Sequence, residues 1–249
     1  MKDSTIQSKI GFFSSGILFI FLGWIVFSSI MNNPIYPDIL SIFKSFFTLI
    51  IDIDVLLSMG LTLLRVLAVI LISLILSLGI SYLYILFEDS IYFFKPLMTL
   101  IRATPLAVIS VYLWISLGSD LAPFMITLLM VFPVMSEGFI SAIDNIDNAY
   151  KLQIKNEDIP LFTKFIKVYI PLIFPYIIMT VLQTFGLGIK VMIMGEYICQ
   201  TSLSMGNLIY SYKQSFSFDN LIALGLYIVI IVCVLEIIIK NFSKSSKKA

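Results

Sequence analysis

The sequence predicts an all-α polytopic membrane protein with six transmembrane helices and both termini in the cytoplasm. Three observations predict it. The first is composition: 59% of the 249 residues are hydrophobic and only 12% are charged, whereas soluble domains are about half apolar and about a quarter charged. Mean hydropathy is correspondingly high, at +1.04. The second is length. A helix needs about 20 apolar residues to cross roughly 30 Å of hydrocarbon, and six segments meet that requirement: Ile10–Met31, Val55–Phe87, Phe94–Leu117, Leu121–Ile143, Val168–Ile198 and Leu221–Lys240. The third is the bias of basic residues between alternate connections, which sets orientation.

Each element has its own warrant. Ile10–Met31 follows Lys2 and Lys9, but its apolar run exceeds a signal-peptide core of roughly 7–15 residues, and no small-x-small cleavage site follows. It is expected to be retained as a span. In the connection 32–54, Pro34 and Pro37 precede apolar residues at Ile39, Leu40, Ile42, Phe43, Phe46, Phe47 and Ile50, near helical period. A proline start and one apolar face predict a short helix at about 37–51, lying in the outer interface. The second and fifth spans are longer than the bilayer requires, so each is expected to tilt or to include an interfacial turn. Ser243–Ala249 is a basic tail, expected to be disordered. No internal repeat or soluble domain is visible, and residues 1–249 read as one transmembrane domain.

With the N-terminus inside, the inner segments hold Lys2, Lys9, Lys95, Lys151, Lys155, Lys164, Lys167, Lys240, Lys244, Lys247 and Lys248, against Lys44 and Lys213 outside. A net charge of +1 excludes a nucleic-acid role resting on bulk charge. The absence of histidine removes imidazole acid–base catalysis, histidine metal sites and histidine proton relays. Cys199 and Cys233, each in or at the end of an apolar span, read as small apolar fillers rather than a disulfide or metal pair. No cofactor is called for.

Charges inside spans are functional hypotheses by default. Arg65 is expected to snorkel to the outer interface. Arg102 and Glu137 lie toward the cytoplasmic side of neighbouring spans, where they could pair. Lys190 and Glu196 fall on different faces of one helix, and Glu196 is expected as path lining or gate rim. Glu236 is expected to reach the inner interface. On the fifth span, Gln183 and Thr184 are read as lining a translocation path, because an amide facing lipid is costly. Gly186 and Gly188 suit either close packing or such a lining.

The polar stretch KLQIKNEDIPLFTKFIKVYIP, Lys151–Pro171, raises the functional question. Acids (Asp144, Asp147, Glu157, Asp158) alternate with lysines (151, 155, 164, 167). The apolar residues Leu152, Ile154, Ile159, Leu161, Phe162, Phe165, Ile166 and Val168 are too many for a solvated loop. A short amphipathic helix, a turn near Asp158–Pro160 and a second helix entering the membrane would fit. So would a plain interfacial connector held to lipid headgroups by its lysines.

This stretch resembles the cytoplasmic loop of permease subunits of binding-protein-dependent ABC importers. The second half carries the likeness: Phe165, Val168, Ile170-Pro171 and Pro175-Tyr176. The first half is degenerate, with Leu152, Gln153 and Ile154 in the Glu-Ala-Ala slots and Asp158 in the glycine slot. Four other stretches, in the same order, are similar to the nitrate/sulfonate/taurine-like branch. They are PIYPDILSIF; LSMGLTLLRVLAVILISLILSLGI, with Ser58, Leu64, Arg65 and Gly79; PLMTLIRATPLAVISVYLWISLG; and MGEYICQTSLSMGNLIY, where Met205-Gly206 stands for Leu-Gly. The resemblance runs from about Pro34 to Glu236.

The resemblance implies a type I ABC importer permease fold. It also implies two permease subunits (homo- or heterodimer), two copies of a cytosolic ABC ATPase, and an extracellular or periplasmic substrate-binding protein. The chain would sit in the cell membrane as a multi-pass protein and bring a small solute inward: a sulfonate, nitrate or vitamin-like compound. Docking on the ATPase would fall on Lys151, Leu152, Gln153, Lys155, Asn156, Glu157, Asp158 and Ile159, with Phe162 and Phe165 anchoring the lever. The path would include Gln183, Thr184 and Glu196. The sequence contains no Gly-x-x-x-x-Gly-Lys-Ser/Thr, so ATP hydrolysis is expected in a partner and not in this chain. The competing class is an ion-coupled secondary transporter, which usually shows repeats and midplane carboxylates. An intramembrane enzyme would need a catalytic pair, and none is apparent.

Overall fold

A computed structural model describes residues 15–16, 18–19, 22–31 and 33–245; of residues 155 and 239–245 only the backbone is described. Among the described residues every regular element is a helix. They are α1 (Leu22–Met31), α2 (Ile39–Ile51), α3 (Ile53–Leu86), α4 (Ser90–Ala103), α5 (Leu106–Asp144), α6 (Asn148–Asn156), α7 (Leu161–Lys164), α8 (Ile170–Cys199), α9 (Met205–Gln214) and α10 (Phe218–Ser245). Four helical stretches are long and apolar enough to cross a membrane: Ile53–Leu86, Leu106–Asp144, Leu161–Cys199 and Phe218–Ile238. The expected first span lies partly outside the described residues, as do residues 246–249 of the tail. The rest of that tail is not irregular, because α10 continues to Ser245.

The expected span Phe94–Leu117 is not one helix. α4 stops at Ala103, Thr104 is extended (ψ 128°), and α5 starts after Pro105. A residue before proline is pushed out of the helical region by the proline ring, which is why the helix breaks there. α5 is itself two helices joined at Gly118, whose φ of 79° and ψ of 178° belong to a region essentially reserved for glycine. The chain doubles back at this residue. Arg102 of α4 meets Glu137 in the second half of α5, and Met98 shares an apolar cluster with Ile140. Nearer the reversal, Ile109 and Leu113 pack with Ala122 and Ile126.

The core is formed where α3, the second half of α5 and α8 cross, around Val66, Val69, Val131, Met135, Phe139, Phe185, Ile189 and Met192. Small residues let α5 and α8 approach closely. A side chain on Gly138 would collide with Thr180, and one on Gly195 would press on Pro123. α2 lays one face, Ile42, Ser45 and Leu49, against its neighbours. Its Ser45 hydroxyl donates to Asp219 of α10 (3.0 Å), and Phe46 meets Tyr227 edge-on.

Helix starts follow from local chemistry. The Asp52, Asp147 and Ser204 side chains accept backbone N–H groups at the starts of α3, α6 and α9. Between α7 and α8 the chain makes one π turn, Phe165–Tyr169. Pro171 has no N–H for the carbonyl four residues back, and its ring crowds that carbonyl. The widened turn absorbs the conflict, and helix continues from Leu161 to Cys199.

Candidate functional site

Two places combine charge, exposure and unusual geometry, and α8 joins them. The first is the helix–turn–helix at one end of the molecule. Asp147 caps α6 by accepting the Ala149 N–H (2.9 Å), and Lys151 Nζ donates to the Asp144 carbonyl (2.8 Å). The Asp144 carboxylate in turn accepts the Tyr84 hydroxyl at the end of α3 (2.6 Å). These bonds pin the start of α6 to the ends of α3 and α5.

Its anchoring face is apolar. Ile154 is buried, and Phe165, 6% exposed, packs on Tyr82 of α3 with ring centroids 5.2 Å apart. Phe162 meets the same ring edge-on at 5.9 Å yet stays 59% exposed. The other face is open. Leu152 is 62% exposed, and Gln153, Asn156, Glu157, Asp158, Ile159 and Leu161 are exposed around it. Of the residues expected to dock a partner, Lys151 is the one tied back to its own chain; Lys155 is placed by its backbone alone, within α6.

The second place lies at the opposite end of α8. Glu196 is fully buried. Its carboxylate accepts Thr62 Oγ1 (2.9 and 3.0 Å), Arg65 Nη1 (2.9 Å) and the Gly206 N–H (3.3 Å). Thr62 Oγ1 also accepts the Met205 N–H (3.1 Å). One carboxylate thereby ties α3, α8 and the start of α9. Gly206 is required for this approach: any Cβ there would land on the backbone of Glu196 and Tyr197.

Arg65 does not snorkel to the interface, as its position near a span end suggested. It turns inward to Glu196, because an acid with no other cation in reach is a better partner than headgroup water for a side chain only 23% exposed. A signal for this pair existed in the sequence. An intramembrane arginine needs an acid, and Arg65 and Glu196 were already assigned to the same side.

Arg102 and Glu137 form a two-pronged ion pair (2.5 and 2.6 Å) that ties α4 to α5. On α8, Thr184 is buried, and its hydroxyl donates to the Thr180 and Val181 carbonyls (2.8 and 3.1 Å). Gln183 is exposed on the face it shares with Lys190 and Met194. Thr184 and Glu196 thus sit behind the face that Gln183 presents.

A family model described as "binding-protein-dependent transport system inner membrane component" matches residues 92–248, more than half of the chain. The matched region takes in the helix–turn–helix, α8 and the Glu196–Gly206 junction. No curated protein matches the chain.

Proposed function

The chain belongs to the family of binding-protein-dependent transport system inner membrane components, and from that premise we propose that it is one of two permease subunits of an ABC importer, driven through the α6–α7 elbow by a separate ATPase. As a member of that family it is a multi-pass membrane component of a transporter and not itself an enzyme. In our reading it crosses the cell membrane six times with both termini inside. The six passes are the N-terminal segment, α3, α4 with the first half of α5, the second half of α5, α8 and α10. The chain lies nearest the nitrate/sulfonate/taurine-like branch and passes a small solute delivered by a binding protein.

One observation carries the coupling assignment. The elbow exposes Leu152, Ile159, Leu161 and Phe162 at a polar end of the molecule, while Ile154 and Phe165 hold it to the membrane body. A partner groove that covers an apolar centre rimmed by Gln153, Asn156, Glu157 and Asp158 would have the anatomy of a protein interface. α7 then runs without a break in helix into α8, so motion of the elbow is motion of the span. The Gln183 face of α8 lines the path, with Thr184 and Glu196 setting the packing behind it.

The test is co-purification followed by vesicle transport. Leu152→Glu, on an exposed position, should leave folding unchanged, prevent the chain from retaining its ATPase, and abolish ATP-dependent uptake. Uptake at wild-type rate by that variant, or by the chain with no ATPase attached, overturns the proposal.

A further inference from the structure

Besides the pairs at Arg65–Glu196 and Arg102–Glu137, the spans hold two ionisable side chains that stand opposite one another without bonding. Lys190 of α8 and Glu236 of α10 line a single cleft of about 650 Å³. Among the described residues neither takes part in an ion pair or hydrogen bond. Gly186 makes room for the acid: Glu236 Oε1 lies 3.0 Å from where a Cβ on residue 186 would stand. Lys190 is four residues further along α8, about one helical turn. The ammonium and the carboxylate therefore face one hollow, separated along its length by about that distance. The remaining walls are mostly apolar, including Ile193, Ile228 and Val229, and Tyr197 also lines the hollow. The Tyr197 hydroxyl accepts Lys213 Nζ (2.9 Å).

An unpaired charge at membrane depth costs about 2.5–3.5 kcal/mol even on permissive scales, so two in one hollow call for an occupant that satisfies both. An anion would satisfy Lys190 and leave Glu236 buried without a partner; a cation would do the reverse. Sites with a partner group left unpaired reject ligands strongly. The volume falls in the ordinary range for small-molecule sites.

We propose that the α8–α10 cleft is a subsite for a small zwitterion, with its anionic group on Lys190, its ammonium on Glu236 and its carbon body against the apolar walls. The proposal rests on the permease reading and narrows the solute class. It concerns binding to the chain itself, so it is measured without an ATPase: a failed binding test leaves the coupling assignment standing, and a failed uptake test leaves this one.

The experiment is titration calorimetry on the full chain in lipid nanodiscs. The probes are L-leucine and the ω-amino acids from glycine to 6-aminohexanoate, each beside the carboxylate and the amine of matching carbon skeleton. At least one zwitterion should bind saturably, with both singly charged analogues about tenfold weaker or worse, a gap of about 1.4 kcal/mol. Lys190→Gln and Glu236→Gln should each weaken that zwitterion by a similar factor. Binding by no zwitterion, equal binding of an analogue, or unchanged affinity in both variants overturns the proposal. The comparison of analogues on the unaltered protein decides the matter even if a variant fails to fold.

Discussion

Removing the Arg65 guanidinium should destabilise the protein more than removing the carboxylate it serves. In the Arg65→Met variant, Glu196 stays fully enclosed and keeps only the Thr62 hydroxyl and the Gly206 N–H. Breaking a buried pair from one side typically costs 3–5 kcal/mol, because an uncompensated charge is left behind. Arg65 retains 23% exposure, so part of its field is screened and the lower figure applies, about 2–3 kcal/mol. Glu196→Gln removes the charge but leaves an amide oxygen for Thr62 and Gly206, which should cost about 1–2 kcal/mol.

The double variant should then be no less stable than Arg65→Met alone, since the stranded charge is gone. A double-mutant cycle followed by thermal unfolding in nanodiscs reads the difference as a coupling of about 1–3 kcal/mol. Additive losses, or an Arg65→Met protein as stable as the parent, would show that the pair seen here does not organise the α3–α8–α9 junction.

Two further predictions concern single positions. Gly118→Ala meets no neighbour within 4 Å, so its whole cost is backbone strain, about 1–3 kcal/mol; a variant with an unchanged unfolding temperature would mean that the chain does not reverse there in that conformation. Phe165→Ala should lose about 3–5 kcal/mol as a buried aromatic, whereas Phe162→Ala, largely exposed, should unfold like the parent yet lose ATP-dependent uptake; equal unfolding temperatures for the two would contradict the division between anchoring and docking faces.

Much of this architecture was legible in the sequence because the bilayer simplifies the problem. Hydropathy and length located α3, α8 and α10, and the periodicity of 37–51 located α2. The compact alternation of charge with Leu152, Ile154, Phe162 and Phe165 marked the elbow. What failed to show was set by single backbone atoms. Thr104–Pro105 breaks a segment that hydropathy sees as continuous, and Pro171 forces a π turn where periodicity sees only helix. The Arg65–Glu196 bond depends on three helices converging, and a reading of one helix at a time offers each charge only its own helix or the interface. Thr184 shows the same limit: its hydroxyl could turn to a path or to its own helix, and only packing against α5 decides between them.

The two sites are the two ends of one rod. α8 spans 30 residues, about 45 Å at 1.5 Å per residue, with the elbow joined to one end through the π turn and Glu196 near the other. Close packing along Gly138, Gly188 and Gly195 leaves little slack between α8 and its neighbours, so a displacement imposed at Phe165 is not absorbed along the way. It must be taken up either at the π turn or at the four bonds around Glu196. A nucleotide-driven partner can move this rod only as far as its affinity differs between the two positions, and the junction at Glu196 contributes to the energy that difference has to meet. Weakening the junction through Arg65→Met should therefore ease the shift between states as well as lower stability, which distinguishes a restraining bond from a merely structural one.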